Sequence, residues 1–308
     1  MQLNLHLLRI FAAVIEQRSF SRAAETLCIS QPAVSKAVRE LEHQLGLPLI
    51  ERGVGGARGA KGVRLTDSGQ ALFDHARGIF ALERAAVEEV RARVGLNSGR
   101  LVVGASTTIA GYWLPDYVAG FLQRLPEAQL KVLVGNTQAM SRALIDCEID
   151  IALVEGVVND PRIVSTHWRN DELTIIAPRN LTVSRGRQPD LKVLTDQMWL
   201  LREIGSGTRE ATDRVMRDLG IAPQRSTEIA SNEGIARAVA AGSGIAMLPT
   251  QVVRELLMLN EIKALRFRDK SGFERPLFLV QLKERPSSPL VHAFCELLQQ
   301  GAATADHR

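Results

Sequence analysis

Residues 21–45, SRAAETLCISQPAVSKAVRELEHQL, restrict the fold more than any other stretch of the chain. They read as two helices joined by a tight turn at Cys28 and Ile29. Ser21 is expected to cap the first, which carries Ala23, Ala24 and Leu27, and Ser30 the second, just ahead of Gln31 and Pro32. A serine cap gives an orphan N–H an acceptor, and proline in the first turn gives up a donor that had no partner. In the second helix Val34, Val38, Leu41 and Leu45 recur at helical spacing and form one apolar face. Gln31, Ser35 and Arg39 fall four residues apart on another face, flanked by Lys36. Such a stripe suits the major groove of DNA, where Arg forks onto guanine and Gln onto adenine, while Ser and Lys hold phosphates. An ordinary helical hairpin with a solvated face explains any one of these features, but not turn, caps and stripe together.

Charge points the same way. The 308-residue chain carries a net charge of +4, and up to Leu65 nine basic residues stand against five acidic ones. Nearly all the excess thus lies in the first fifth, as a polyanion partner requires, and the remainder is near neutral. The length suggests about two domains. Cys28, Cys147 and Cys295 lack any CxxC spacing, so neither a metal site nor a disulfide framework is expected, and a reducing cytoplasm is the natural home. Cys28 reads as a small inert residue rather than a redox sensor. The opening MQLNLHLLRIFAAVIEQ is interrupted by His6 and Arg9, and Leu7, Ile10, Phe11 and Val14 keep helical spacing. It reads as a core helix, not a secretion signal. No apolar run is long enough for a bilayer.

Enzyme signatures fail. The histidines form no HExxH; Ile204-Gly205-Ser206-Gly207 lacks the first glycine of GxSxG; Gly242-Ser243-Gly244 does not extend to GxGxxG. No catalytic residue and no cofactor is expected.

After the second helix, LGLPLIERGVGGARGAKGVRL reads as two short extended pieces, 49–52 and 63–65, around a glycine-rich loop. This is a wing, and it is basic through Arg52, Arg58, Lys61 and Arg64. It is not a phosphate loop, because Lys61 lies between Ala60 and Gly62. Thr66 should then cap a long helix over 67–93 whose Leu72, Ala76, Ile79, Phe80, Val87 and Val90 keep a coiled-coil-like seam. At 1.5 Å per residue it spans about 40 Å, too long for one small domain, so pairing with a second copy is expected. Leu96 to Gly99 form a linker.

From Arg100 onward strand-like runs (LVVGA, LKVLVG, DIALVEG, ELTIIAP, WLLRE, IAMLP, LFLVQL) alternate with helix-like segments. The alternation predicts an α/β domain with largely parallel sheets. Weaker patterning at 165–171 and 259–267 predicts two crossings between lobes. Three strand-to-helix junctions are rich in hydroxyls and amides: Ser106, Thr107 and Thr108; Asn136 and Thr137; Gly205, Ser206, Gly207 and Thr208. Ligands in open α/β sheets sit beyond the strand ends, where helix N-termini offer free N–H groups. Three such junctions together favour an anion cradle over plain N-caps, and Arg209 adds charge if it turns inward. Glu155 and Glu203 favour a zwitterion or an amine instead, so the ligand's charge is left open.

From LLRIFAAVIEQRSFSRAAETLCISQPAVSKAVRELEHQLGLPLIER through VRLTDSGQAL the chain closely resembles the LysR-type bacterial transcriptional regulators. STTIAGYWLP, DIALVEG, GSGTR and AVAAGSGIAMLP extend the resemblance, less tightly, through the rest. It departs at the wing, which is longer than usual at 53–62 and has Ile50 where the family usually has Phe. The resemblance implies an N-terminal winged helix-turn-helix (1–65), a linker helix for dimerisation (66–95) and a two-lobed α/β effector-binding domain like the periplasmic binding proteins (99–308). Its lobes would be 99–168 with 267–300, and 169–266. Stripe, wing and resemblance together make Ser21, Arg22, Ser30, Gln31, Pro32, Ser35, Lys36, Arg39, Arg52, Arg58, Lys61, Arg64 and Thr66 the expected DNA contacts. The three junctions, with Glu155 and Asn232, would bind a small polar metabolite, anionic by this reading. The implied partners are dyad-symmetric promoter DNA, a second or fourth copy of the chain and, for an activator, RNA polymerase. The alternative is a solute-binding protein without regulatory role.

Overall fold

The computed structural model describes residues 2–51, 63–93, 99–182, 189–265, 267 and 273–305. The chain divides into two compact units, Met1–Arg84 and Ala85–Arg308.

The first unit packs α1 (Leu5–Gln17), α2 (Phe20–Thr26) and α3 (Gln31–Leu45) around one core. Leu8, Phe11, Val14, Val34 and Leu41 are fully enclosed there. Ser30 caps α3 as expected, its Oγ accepting from the Ala33 N–H. The cap of α2 is Ser19, not Ser21: Ser19 Oγ accepts from the Arg22 N–H, and the helix already starts at Phe20. The tight turn holds Cys28 at φ 53°, and the residue is exposed. Ile50 and Leu65 form an antiparallel bridge at the base of the wing.

The long helix α4 (Asp67–Arg93) starts at Thr66, whose Oγ1 accepts from the Gly69 N–H at 3.0 Å. Its seam is divided. Ala76 is fully buried, and Leu72, Ile79 and Phe80 pack against the first unit's own core. Ala76 is therefore unavailable to a partner helix. Val87 and Val90 are exposed, as is Leu82.

In the second unit come β1 (Gly99–Ser106), α5 (Thr107–Tyr112), α6 (Leu114–Arg124), β2 (Ala128–Gly135), α7 (Thr137–Ile145) and β3 (Ile151–Glu155). β4 (Ile163–Pro178) leads to α8 (Leu191–Asp196), β5 (Met198–Leu201), α9 (Gly207–Leu219), β6 (Arg225–Glu228) and α10 (Asn232–Ala240). β7 (Ala246–Pro249), α11 (Thr250–Met258), β8 (Ile262–Leu265), β9 (Phe273–Leu282) and α12 (Pro289–Ala305) complete it. The main sheet runs β2-β1-β3-β9-β4-β7, with β8 also on β4, and β5 and β6 pair separately.

Two lobes result, each with helices on both faces of its strands. In the first, Leu101, Val103 and Phe294 lie on one face and Val102, Leu144 and Val154 on the other. In the second, Leu173, Ile175 and Trp199 oppose Ile176, Leu248 and Val253. From Leu173 onward β4 alternates sides, so Ile175 and Ile176 serve different cores, as a strand's period of two dictates.

Two expectations fail. β1 pairs with β2 and β3 in parallel, as β5 does with β6, but every ladder involving β4 or β9 is antiparallel. The main sheet is mixed because the strands that join the lobes run against their neighbours. The second crossing is also not 259–267; that segment follows α11 and holds β8 in the second lobe, and the chain returns along β9. β4 is the other crossing, as expected near 165–171. Its ladder with β9 shifts register between His167 and Arg169, leaving Trp168 as an extra residue. Trp168 is buried and its Nε1 donates to the Leu298 carbonyl. Beside it Arg169 stacks on the rings of Trp113 and Trp168 and donates to Tyr117 Oη.

Candidate functional site

Helix α3 buries Val34, Ala37, Val38 and Leu41 and leaves Gln31, Lys36 and Arg39 exposed, with Ser35 half-buried between them. Gln31 Nε2 donates to Ser35 Oγ at 2.9 Å, and Arg39 Nε donates to the Ser35 carbonyl at 3.2 Å. The stripe therefore lies assembled as one row. Ser21, Arg22, Pro32 and Arg64 are exposed. Two expected contacts are engaged elsewhere: Ser30 Oγ caps its helix, and Thr66 Oγ1 also donates to the Pro48 carbonyl at 2.7 Å. Arg52, Arg58 and Lys61 lie outside the described residues. Sequence reasoning passed over Glu42, which is buried and accepts from the Leu49 and Ile50 N–H groups. It ties the base of the wing to the recognition helix. An acid beside Leu41, four residues after Val38, was the available signal.

In the second unit the three hydroxyl-rich junctions meet where the lobes face each other. Thr107 and Thr108 start α5, Asn136 caps α7, and Ser206 to Thr208 open α9. Asn232, fully buried at the start of α10, joins them. The lobes come close together at Gly207: a Cβ there would stand 2.4 Å from Glu155 Cβ and 2.6 Å from the Glu155 carbonyl oxygen. Only glycine permits that distance.

The hydroxyls do not face an empty cradle, as an anion site read from caps alone implies. They accept hydrogen bonds from two buried arginines. Arg202 Nη1 donates to Thr107 Oγ1 at 3.2 Å and to Asn232 Oδ1 at 2.7 Å. Arg275 Nη1 donates to Thr208 Oγ1 at 2.8 Å, while Thr108 Oγ1 accepts from Arg275 Nη2 and, at 3.0 Å, from Asn232 Nδ2. Each threonine oxygen so engaged still has its own proton to donate. Thr137 Oγ1 donates to the Glu155 carbonyl at 3.1 Å. Ser106 is almost completely buried and its Oγ has no partner, a condition that buried hydroxyls rarely tolerate. Arg209 does not turn inward; it pairs with Asp213 and donates to the Arg202 carbonyl.

Both arginines are matched by carboxylates. Arg275 lies 2.7 Å from Asp171 and 3.4 Å from Glu155. Arg202 forks onto Glu203, with Nε to Oε2 at 2.8 Å and Nη2 to Oε1 at 2.9 Å, and Asn136 Nδ2 reaches Glu203 Oε1 from the other lobe. Burial pushes the Asp171 carboxyl above its ordinary range, against the pull of Arg275. Partial burial opposes the charged form of Glu203 too, but hydrogen bonds from Arg202, its own backbone N–H and Asn136 prevail and hold its pKa low. A groove of about 540 Å³ opens beside this cluster, lined by Thr137, Gln138, Arg142, Ile204, Ser206 and Arg209. Sequence reasoning did not single out Arg202, Arg275 or Asp171. Arg275, the one cation of a mostly apolar strand, was legible as unusual.

A helix-turn-helix unit joined to a two-lobed α/β ligand-binding domain defines a ligand-responsive, DNA-binding regulator. Residues 5–70 match the bacterial regulatory helix-turn-helix protein family of the lysR type, and residues 95–303 match the LysR substrate binding domain. The chain belongs to the LysR family of transcriptional regulators. It is 33% identical over 264 residues to the HTH-type transcriptional regulator CysL of Bacillus subtilis, covering 86% of each chain. It is 31% identical over 305 residues to the RuBisCO operon transcriptional regulator of Allochromatium vinosum, covering 98% of each. Among solved structures, a full-length OxyR variant from Pseudomonas aeruginosa superposes with a TM-score of 0.73 at 22% identity, covering 98% of this chain and 95% of that one. The regulatory reading holds over that of a bare solute-binding protein.

Proposed function

We propose that this regulator senses a small polar, anionic metabolite in the interlobe cleft and reads dyad-symmetric promoter DNA with α3. The observation that carries the ligand reading is the row of threonine hydroxyls whose oxygens accept from Arg202 and Arg275. An arginine on the oxygen polarises the hydroxyl and strengthens its remaining donor. Ser106 and the N-terminus of α7 add further donors, and helix N-termini favour negative charge. Hydrogen bonds to a charged group contribute about 1.5–3 kcal/mol each. Micromolar affinity needs only about 8 kcal/mol, so a few such contacts suffice even after ordering costs.

Thr107, Thr108, Thr137, Ser206, Thr208 and Asn232 are the ligand-facing set in this reading, with the α4 seam forming a dimer that doubles to a tetramer. Two recognition helices of a dimer then enter successive major grooves about 34 Å apart. The ligand acts by its different affinity for two lobe arrangements. The protein works in the cytoplasm without a further cofactor, and contacts RNA polymerase if it activates. No described helix is long and apolar enough to cross a membrane.

The test is a thermal-shift panel of carboxylates and phosphorylated compounds on the full chain, followed by calorimetry. Thr107→Val keeps the shape and removes the donor. It should weaken the best compound at least about tenfold, one charge-assisted hydrogen bond's worth, while sparing operator binding. Undiminished affinity in both Thr107→Val and Thr208→Val would leave these hydroxyls as internal partners of Arg202 and Arg275 alone.

A further inference from the structure

The cleft contains two arginine–carboxylate pairs of different construction. Asp171 and Arg275 are opposite neighbours in the β4–β9 ladder and both are nearly solvent-free, so neither can leave without breaking the sheet. Glu203 and Arg202 follow β5 in a loop that includes Ile204, 77% exposed, and Gly205 at φ +89°. Arg202 is buried, but the Glu203 side chain is 18% exposed. One partner is fixed and the other stands at the mouth.

The Glu203 carboxylate has the surroundings of a bound anion. Two parallel donors of Arg202 grip its two oxygens, and the N-cap residue of α7 reaches across from the facing lobe. Beside it Arg202 also holds Thr107, and Ser106, the preceding residue, is buried with an unpartnered hydroxyl. Arg202, Arg275, Glu155, Asp171 and Glu203 together carry one excess negative charge, so an incoming anion is disfavoured while Glu203 remains in place.

We propose that Glu203 is a built-in stand-in for the effector: its carboxylate occupies the anion position on Arg202 and links the lobes until a ligand carboxylate or phosphate displaces it into solvent. This rests on the anionic-ligand reading above and narrows it to a group with two coplanar oxygens that Arg202 can grip bidentately. The loop with Ile204 and Gly205 supplies the freedom to leave. A site free only part of the time binds with its affinity reduced by that fraction.

The experiment is calorimetry on the full chain with inorganic phosphate and with malonate, the two arms separating phosphate from carboxylate preference. Glu203→Gln should tighten at least one of them about tenfold, as for a position that is otherwise free about a tenth of the time. Glu203→Asp, too short to keep the bidentate grip, should do the same in part. Adding Arg202→Gln to either should abolish the gain. Asp213→Asn removes an equal charge from the Arg209 pair and should change neither affinity more than twofold. Wild-type affinity in Glu203→Gln, or an equal gain in Asp213→Asn, overturns the stand-in role while leaving the anionic cleft intact. Absence of binding to every variant overturns the anionic cleft and this role together.

Discussion

Asp171 and Arg275 face each other across the two strands that join the lobes, and their side chains form a nearly solvent-free ion pair at 2.7 Å. The same arginine reaches Glu155 in the first lobe and Thr208 in the second. Cross-strand register thus fixes the charge at the centre of the cleft. Arg275→Met would leave Glu155 and Asp171 buried without their counter-charge and should cost about 3–5 kcal/mol. Asp171→Asn should cost less, since Glu155 remains beside the guanidinium. Urea unfolding monitored through the tryptophans measures both; a loss below about 1 kcal/mol in Arg275→Met would contradict the assignment.

The recognition stripe predicts two different kinds of defect. Arg39→Ala and Gln31→Ala should each weaken operator binding by about 1–3 kcal/mol and leave random DNA almost unaffected. Lys36→Ala should weaken both and flatten the salt dependence. Equal losses on operator and random duplex for Arg39→Ala would remove its role in reading bases.

Gly207→Ala places a methyl group into the backbone of Glu155. The lobes must separate to accept it, because backbone atoms cannot turn aside as a flexible side chain does. Small-angle scattering should show a larger second unit, and ligand affinity should fall at least tenfold. Unaltered scattering and affinity would mean that the lobes do not need this approach.

The exposed half of the α4 seam is where a second chain is expected to pair. Val90→Asp would set an unpartnered charge into an apolar contact and should dissociate the assembly in light scattering. Ala76→Asp should instead unfold the first unit, since Ala76 is enclosed by its own core. An unchanged oligomer in Val90→Asp would dismiss the seam.

Glu203 predicts a pH dependence with a definite sign. Against partial burial, hydrogen bonds from Arg202, its own backbone N–H and Asn136 hold its carboxyl below the ordinary glutamate range. A depressed carboxylate contributes above its ordinary pKa and ceases to as pH falls through the lowered one. Hydrogen exchange across residues 203–208 should therefore accelerate, relative to Glu203→Gln, as pH drops through that window. A difference that persisted unchanged at the acid end would deny the ionised link.

Local signals carried the sequence reading where the structure is local. Ser30 before Gln31-Pro32, and Val34, Val38 and Leu41 along α3, specify the second helix almost completely. Ser19 and Ser21 are both plausible caps by composition, and only the hydrogen bond to Arg22 decides between them. The cleft was found by its hydroxyls, but its arginines were not, because Arg202 meets Thr107 across 95 positions of chain and Arg275 meets Thr108 across 167. The return crossing was misplaced for a related reason. β9 is largely apolar because the cores of both lobes pack on it, whereas in 259–267 exposed Asn260 and Glu261 precede a short strand that buries only Ile262 and Leu265, in one lobe.

The register shift at Trp168 sets the phase of everything beyond it. Were the ladder regular from Ile163, Asp171 would stand opposite Glu274 and Arg275 opposite Asn170, with two like charges facing each other across the strands. One unpaired residue advances the second half of β4 by a single step and brings acid to base instead. The cleft's electrostatics are thus a matter of counting as well as of composition. An insertion or deletion in β4 after the bulge would scramble its charges while preserving every one of them.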